Sequence, residues 1–363
     1  MSREGLRIVF FPMTPPMAPG ITRARVTTRD IAARVGVHYS TVSLALRNSP
    51  RLRPELAARI RAVAEELGYS PDPVLSALNV YRKGRQSTRY QSTIAWINNW
   101  PVRDEMRRTV SAFDRYFLGA SERARQLGYQ LDDFWLHEPG MTPASARSIL
   151  RARGVTGLVI APQPHARTTL DLDLSDFSVL ALGYSLQPAR FHVVTNHQYQ
   201  ATQLLVSELQ ALGYRRIGLC LKEDWDEKVN NNFLSVFLLA LHRMPARQRV
   251  PPLITRESDH GEFVRWFGKH RPDAVIAIDR LVKKWILGLG LRIPEDVGLA
   301  NLNADPADPW WAGVHQNDWL IGATAADFLA GMLQRNERGI PPVPIRTLVE
   351  SVWHPGESVR QQA

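Results

Sequence analysis

One stretch near the start of the chain, VHYSTVSLALRNS (Val37–Ser49), mixes hydroxyl, amide, imidazole and guanidinium groups with apolar residues. The chemistry on offer is hydrogen bonding rather than bond making. Ser and Thr can contact phosphate oxygens, and small side chains let a backbone come close to a duplex. Val42, Ala45 and Leu46 recur at helical spacing and supply a face that can hold such a helix in place. The stretch is therefore either ordinary core or a helix whose polar face reads something outside the protein, and its neighbours must decide.

The flanking residues describe two further short helices. Thr27-Thr28-Arg29-Asp30 fits a T-x-x-D cap, in which Thr27 bonds the Asp30 amide and the carboxylate favours the helix start. Ile31, Ala32 and Val35 form an apolar stripe, and Gly36 stops the helix. A third helix begins at Pro54, has Leu56, Ile60, Val63, Ala64 and Leu67 as its inner face, and ends at Gly68. Two short helices joined by a tight glycine turn and packed on a third describe a helix-turn-helix. In that motif the second helix enters the major groove with its N-terminal residues against base edges. The charge agrees. Residues 1–89 hold fifteen Lys/Arg against six Asp/Glu, whereas the remaining 274 hold thirty against twenty-nine. An excess of positive charge confined to one quarter of the chain points to a polyanion, and nucleic acid is the usual one.

The bulk properties exclude several other classes. At 363 residues the chain is long enough for two or three domains, and 44% hydrophobic residues are ample for their cores. No apolar run approaches the roughly 20 residues that cross a bilayer. Ile8–Phe11 is broken at once by Pro12, Pro15 and Pro16, which argues against a secretion signal and predicts a cytoplasmic protein. The single cysteine, Cys220, lies in RIGLCL and reads as an inert core thiol in a strand. No phosphate loop, nucleophile elbow or H-E-x-x-H pattern occurs, and His260, His270 and His315 are scattered, so no enzyme, metal or cofactor is expected. Residues 1–25 carry proline and glycine without periodicity and read as a flexible extension.

The motif VTTRDIAARVGVHYSTVSLALRNS, followed by LGYSPDPVLSAL, resembles the headpiece of the LacI/GalR family of transcription regulators. The D-I-A start, the G-V turn, the T-V-S helix and the G-Y-x-P lead-in to a short hinge occur in the family's order and spacing. The resemblance implies that Tyr39 and Ser40 read bases, with His38 and Asn48 beside the DNA. It places Thr28, Thr41, Ser43 and Arg47 on or near phosphates. Leu78 matches the hinge leucine that wedges into the central base step from the minor groove, and Leu75 adds a second leucine there. Leu44 stands where relatives often have a polar reader, and it can offer apolar contact to a thymine methyl. The expected divisions are a headpiece at 26–70, a hinge helix and linker at 71–91, and a core at 92–363.

Beyond residue 91, short apolar runs alternate with helical patterns in two series, which predicts two doubly wound lobes of parallel sheet with a crevice between them. The blocks LGYRRIGL, PDAVIAIDRLVKKWILGLGLRIPEDVGLANLN and VHQNDWLIG resemble the same family, whose cores have a periplasmic-binding-protein-like fold. The first lobe is expected at about 92–212 and 318–337, the second at about 214–315 and 338–363. Ligands in such folds bind at the carboxyl ends of strands facing the crevice. Candidates by that position are Asn98, Asn99, Trp100, Gln163 and Tyr184 from the first series. The second series adds Trp225, Asp226, Asn230, Asn232, Asp279, Asn303, Trp310, Trp311 and Gln316. Indole faces with amide and carboxylate edges suit a carbohydrate, whose C–H faces stack while its hydroxyls need donors and acceptors. The expected protein is a ligand-controlled regulator, a repressor by the family's habit, that binds a palindromic DNA operator as a homodimer. The alternative is a carbohydrate-binding receptor without direct DNA regulation. The C-terminal HPGESVRQQA shows no heptad tail, which favours a dimer over a tetramer.

Overall fold

The computed structural model describes residues 26–46, 52–67, 69 and 92–362, and the chain divides into two compact units, 1–86 and 87–363. Gly68, Arg47, Asn48, the extension at 1–25 and the hinge with Leu75 and Leu78 lie outside the described residues.

The first unit is built from α1 (Thr28–Val35), α2 (Tyr39–Leu46) and α3 (Pro54–Glu66). Its core joins Ile31, Ala32 and Val35 of α1 to Val42 and Ala45 of α2 and to Ala57, Ile60 and Ala64 of α3. The apolar spacing therefore lies on the inner side of each helix. Leu46, Leu56, Val63 and Leu67 close the core from its rim, partly exposed.

The second unit holds two six-stranded sheets. Its strands are β1 (Ser92–Asn98), β2 (Tyr129–Trp135), β3 (Gly157–Ile160), β4 (Thr168–Thr169), β5 (Ser178–Leu182), β6 (Leu186–Gln187), β7 (His192–Asn196), β8 (Ile217–Lys222), β9 (Leu253–Thr255), β10 (Ala274–Ala277), β11 (Gly298–Asn301), β12 (Ala312–His315), β13 (Arg346–Val349) and β14 (Val352–His354). The helices between them are α4 (Glu105–Thr109), α5 (Ser111–Gln126), α6 (Pro143–Ala152), α7 (Gln198–Ala211), α8 (Glu223–Glu227), α9 (Asn232–Arg243), α10 (His260–His270), α11 (Leu281–Gly288) and α12 (Asp318–Arg335). One sheet runs β13-β7-β5-β3-β1-β2, parallel throughout; the other runs β14-β12-β11-β10-β8-β9, parallel except for β14 on β12. Central strands β3, β5, β10 and β11 are buried at every residue, as expected of parallel strands covered on both faces by helices.

Two segments depart from the expected division of the lobes. Helix α7 packs on the second sheet: Ala201, Leu205 and Leu209 share a core with Tyr214, Ile217, Phe233 and Phe237. Strand β13 adds to the edge of the first sheet, in register with β7 from Arg346↔Val193 to Val349↔Asn196. The apolar faces of α7 and β13 fit either sheet by pattern, and only the connections assign them. The chain thus crosses between lobes after β7, before α12 and between β13 and β14. The crossings are tied together: His197 Nδ1 lies 2.8 Å from Glu350 Oε1, and Asn317 Nδ2 donates to the Glu350 carbonyl at 2.7 Å.

Helices α5 and α12 meet in the first lobe at two glycines. A Cβ on Gly119 would stand 2.0 Å from the Trp319 carbonyl oxygen, and one on Gly322 1.9 Å from that of Tyr116. The two backbones are therefore in direct contact. Among the described residues no helix is long and apolar enough to cross a membrane.

Candidate nucleic-acid interface and ligand cleft

In the helical unit, α1 is capped reciprocally. Thr27 Oγ1 accepts the Asp30 amide at 3.4 Å, while Asp30 Oδ2 accepts from the Thr27 amide and hydroxyl, both at 2.7 Å. These hydrogen bonds hold the Asp30 carboxyl below its usual range. Gly36 takes the left-handed conformation at φ +78°, which ends α1 and turns the chain into α2.

Helix α2 begins on His38, whose carbonyl accepts the Thr41 amide at 2.9 Å. The His38 Nδ1 accepts the Ser40 amide at 3.4 Å and lies 2.8 Å from Ser40 Oγ, so the imidazole caps the helix start. Its ring packs on Tyr39 at 4.3 Å between centroids, and the Arg29 guanidinium stands 5.9 Å over the Tyr39 ring. With Val42 and Ala45 turned inward, the outer side of α2 presents Tyr39 (49% exposed), Ser40 and Leu44 (38% exposed). Thr41 and Ser43 of α2 are half-buried, as is Thr28 at the start of α1. An aromatic hydroxyl, a serine and a leucine on one protruding helix can meet base edges, a phosphate and a thymine methyl.

The second unit has a cavity of about 90 Å³ between its two sheets, well below the ~300–1,000 Å³ usual for a ligand cleft. Its walls come from both lobes: Phe113 and Tyr116 of α5, Pro162, Ser185, and Thr195, Asn196 and Gln198 at the first crossing, against Trp225, Lys228, Phe233, Ile278, Asn303 and Gln316. The lobes are drawn together around it by polar contacts. Arg115 pairs with Asp305, Arg167 with Glu227 at 2.8 Å, and the Ala166 amide donates to Asp224 Oδ1 at 2.8 Å. Lys228 Nζ donates to the Pro164 carbonyl at 2.9 Å.

Of the residues chosen from strand ends, Trp225, Asn303 and Gln316 stand on the cavity wall. The others do not, and their bonds explain why. Asn98 is fully buried and braces its own loop, its amide donating to the Arg103 carbonyl and its oxygen accepting the Trp100 amide. Trp100 is buried with Nε1 on the Pro162 carbonyl, and Gln163 is buried with its amide on the Ala161 carbonyl and its oxygen taken by Asn99. Asn99 also meets His137. Tyr184 is half-buried against the first-lobe core. Asp226 is buried and accepts the Leu234 amide, with burial holding its carboxyl above the usual range. Asn230 is exposed at φ +60°, and Asn232 donates to the Val229 carbonyl. Asp279 caps Leu281 and pairs with Ser258 and Lys222. Trp311 is core, and Trp310 carries the Lys283 ammonium 3.3 Å over its ring.

Wall residues that the sequence did not indicate include Asn196, Gln198, Lys228, Phe113, Tyr116 and Phe233. Asn196 closes a strand, the same signal that selected Asn98. The other five sit on helices or in a turn, where only the lobe packing brings them to the cleft. Cys220 is buried in β8, and burial pushes its thiol up to about 12, which leaves it unreactive. Among the described residues no group of His, Cys, Asp or Glu has the proximity to hold a metal ion.

The model of bacterial regulatory proteins of the lacI family matches residues 27–72, and that of the periplasmic binding protein-like domain matches residues 206–359. The chain is similar to the lacI family over its three-helix unit and to periplasmic binding protein-like domains over much of its two-sheet unit. The three-helix unit is thus the lacI-type helix-turn-helix, and the two-sheet unit is the periplasmic-binding-protein-like core. The HTH-type transcriptional regulator GntR of Escherichia coli is 25% identical over 197 residues; that match spans about half of either protein, 54% of this chain and 55% of the relative. PtxS of Pseudomonas putida, another HTH-type transcriptional regulator, is 25% identical over 332 residues, 87% of this chain and 92% of the relative. Among solved structures, the lac repressor dimer bound to operator and the anti-inducer ONPF shares the fold with a TM-score of 0.52 and 20% identity, over 92% of this chain and 99% of that one. The relatives are regulators of transcription rather than enzymes.

Proposed function

We propose that this chain is a cytoplasmic transcriptional repressor of the lacI type that binds a palindromic operator as a homodimer and is controlled by a carbohydrate in the cleft of its core. The observation that carries the reading is the outer side of α2, where Tyr39, Ser40 and Leu44 protrude from a capped helix-turn-helix. Tyr39 and Ser40 face bases, Leu44 meets a thymine methyl, and Thr28, Thr41 and Ser43 contact phosphates. The resemblance also assigns DNA contacts to Arg47, Asn48, Leu75 and Leu78. In this reading the headpiece is 26–70, the hinge helix and linker 71–91 and the core 92–363. Two-fold symmetry matches two headpieces to two half-sites.

Aromatic walls at Phe113, Tyr116, Trp225 and Phe233, with amides at Asn196, Gln198, Asn303 and Gln316, support a carbohydrate as the effector. At about 90 Å³ the cavity is too small for a sugar ring, so binding parts the lobes and breaks some of the bonds that join them. A ligand shifts operator affinity only through its different affinities for the joined and parted forms.

Selection of duplexes from a random library with the full-length protein tests the reading. Recovery of a palindrome, bound by a dimer, supports it. Recovery of no preferred site, with the protein monomeric at micromolar concentration, overturns it in favour of a carbohydrate receptor.

A further inference from the structure

Lys228 presents an ammonium group that forms no ion pair among the described residues. It follows α8 on the second lobe and lies on the cavity wall. Its Nζ hydrogen-bonds to an uncharged acceptor, the Pro164 carbonyl at 2.9 Å. Two aromatic rings lie near it: the Trp100 ring centroid is 5.7 Å away and that of Phe113 5.9 Å. Asp224 is close enough for its field to be felt, but its Oδ1 is engaged by the Ala166 amide. Taking a charge out of water without an ionic partner is unfavourable, and burial pushes the Lys228 ammonium down to about 8.

A second, independent group points the same way. Asn196 is 3% exposed, its Oδ1 is taken by Thr195 and Gln198, and its Nδ2 has no hydrogen-bond partner. It too lies on the cavity wall. A buried donor without an acceptor is rare in native structures and calls for an explanation. The cavity thus offers a charged donor and an unsatisfied neutral donor together with aromatic walls.

We infer that the effector is a monosaccharide bearing a single carboxylate, with Lys228 as its counter-ion and Asn196 as a second donor to its oxygens. This rests on the carbohydrate reading above and narrows it. One cation suits a monoanion. A phosphorylated sugar, close to a dianion at neutral pH, leaves a charge unmatched and meets the field of Asp224. When the ligand enters, Nζ exchanges the Pro164 carbonyl for the carboxylate, so the bond that joins the lobes becomes a bond to the effector.

The test uses the full-length protein and matched probes: D-glucuronate and D-galacturonate against D-glucose and D-galactose, and D-gluconate against D-sorbitol, each with wild type and Lys228→Met. The readouts are melting temperature and calorimetric Kd. The expected result is that at least one acid binds, that its neutral counterpart binds at least tenfold more weakly, and that K228M loses at least tenfold for the acid alone. The melting temperature of unliganded K228M at pH 7 should equal or exceed that of wild type, which shows that the variant folds. Neutral sugars binding as well as the acids, with K228M indifferent, overturns the carboxylate and leaves the carbohydrate effector standing. Acid binding unchanged in K228M overturns the role of Lys228. No response to any probe of either charge overturns both the carboxylate and the carbohydrate reading.

Discussion

Arg115, on α5 of the first lobe, is paired with Asp305, in the loop after β11 of the second. The guanidinium holds the Asp305 carboxyl below its usual range. A carboxyl whose pKa is depressed by folding contributes stability that is complete above its unfolded value and is lost as pH falls through its folded one. Asp305→Ala should therefore weaken the joined form of the lobes by about 1–3 kcal/mol at pH 7, since the pair is partly buried. Small-angle scattering should show a larger radius of gyration for the variant at pH 7. An unchanged radius refutes a role for this pair in holding the lobes together.

Asp318, at the start of α12, behaves in the opposite sense. It is 3% exposed, its Oδ1 has no partner, and the Asn303 amide reaches Oδ2 only at 3.5 Å. Burial raises its carboxyl from 3.8 to about 6. Its contribution is fully present below the unfolded value and lost as pH rises through about 6. Between pH 4 and pH 8, wild type should lose on the order of 3 kcal/mol relative to Asp318→Asn. Parallel stability curves for the two proteins across that window would falsify the assignment.

Base reading by α2 predicts a separation of two affinities. Tyr39→Ala should lower discrimination at one base pair by about 1–3 kcal/mol while leaving affinity for random duplex within a few-fold. Leu44→Ala should do the same where a thymine methyl is contacted, with the loss confined to that position. Gel shifts on the selected site and on its single-base variants separate the cases. Equal losses on specific and random DNA would mean that these residues support the fold.

The contact between α5 and α12 tolerates no side chain. Gly322→Ala places a methyl 1.9 Å from the Tyr116 carbonyl, which is backbone and cannot rotate away. The helices must separate, and the melting temperature should fall by several degrees, in line with about 1–3 kcal/mol or more for overpacking. Gly36→Ala makes the comparison: nothing lies within 4 Å, so its penalty is only the strain of φ +78°.

The helix-turn-helix was legible because its determinants are local. The Thr27–Asp30 cap, the Gly36 stop and the stripe of Val42 and Ala45 all lie within a few residues of what they control. The two sheets were legible for a similar reason, each strand being a short apolar run between helices. The cleft was legible only in part. A polar residue at a strand end can face the crevice, as Asn303 does, or satisfy its own loop, as Asn98 and Gln163 do, and both look alike in sequence. The positions of Lys228 and Phe113 follow from packing between distant segments, and so do the lobe memberships of α7 and β13.

Strand β13 has a consequence for how the protein is made. Until residues 346–349 leave the ribosome, the first sheet ends at β7, and a fully buried strand shows its hydrogen-bonding edge to solvent. Roughly 150 residues, the whole of the second lobe's parallel strands among them, are synthesised in that interval. At roughly 5–20 residues per second the open edge persists for about 8–30 seconds, the period in which it can pair with another nascent chain. Production of this protein should depend on chaperone supply more strongly than its native stability would suggest.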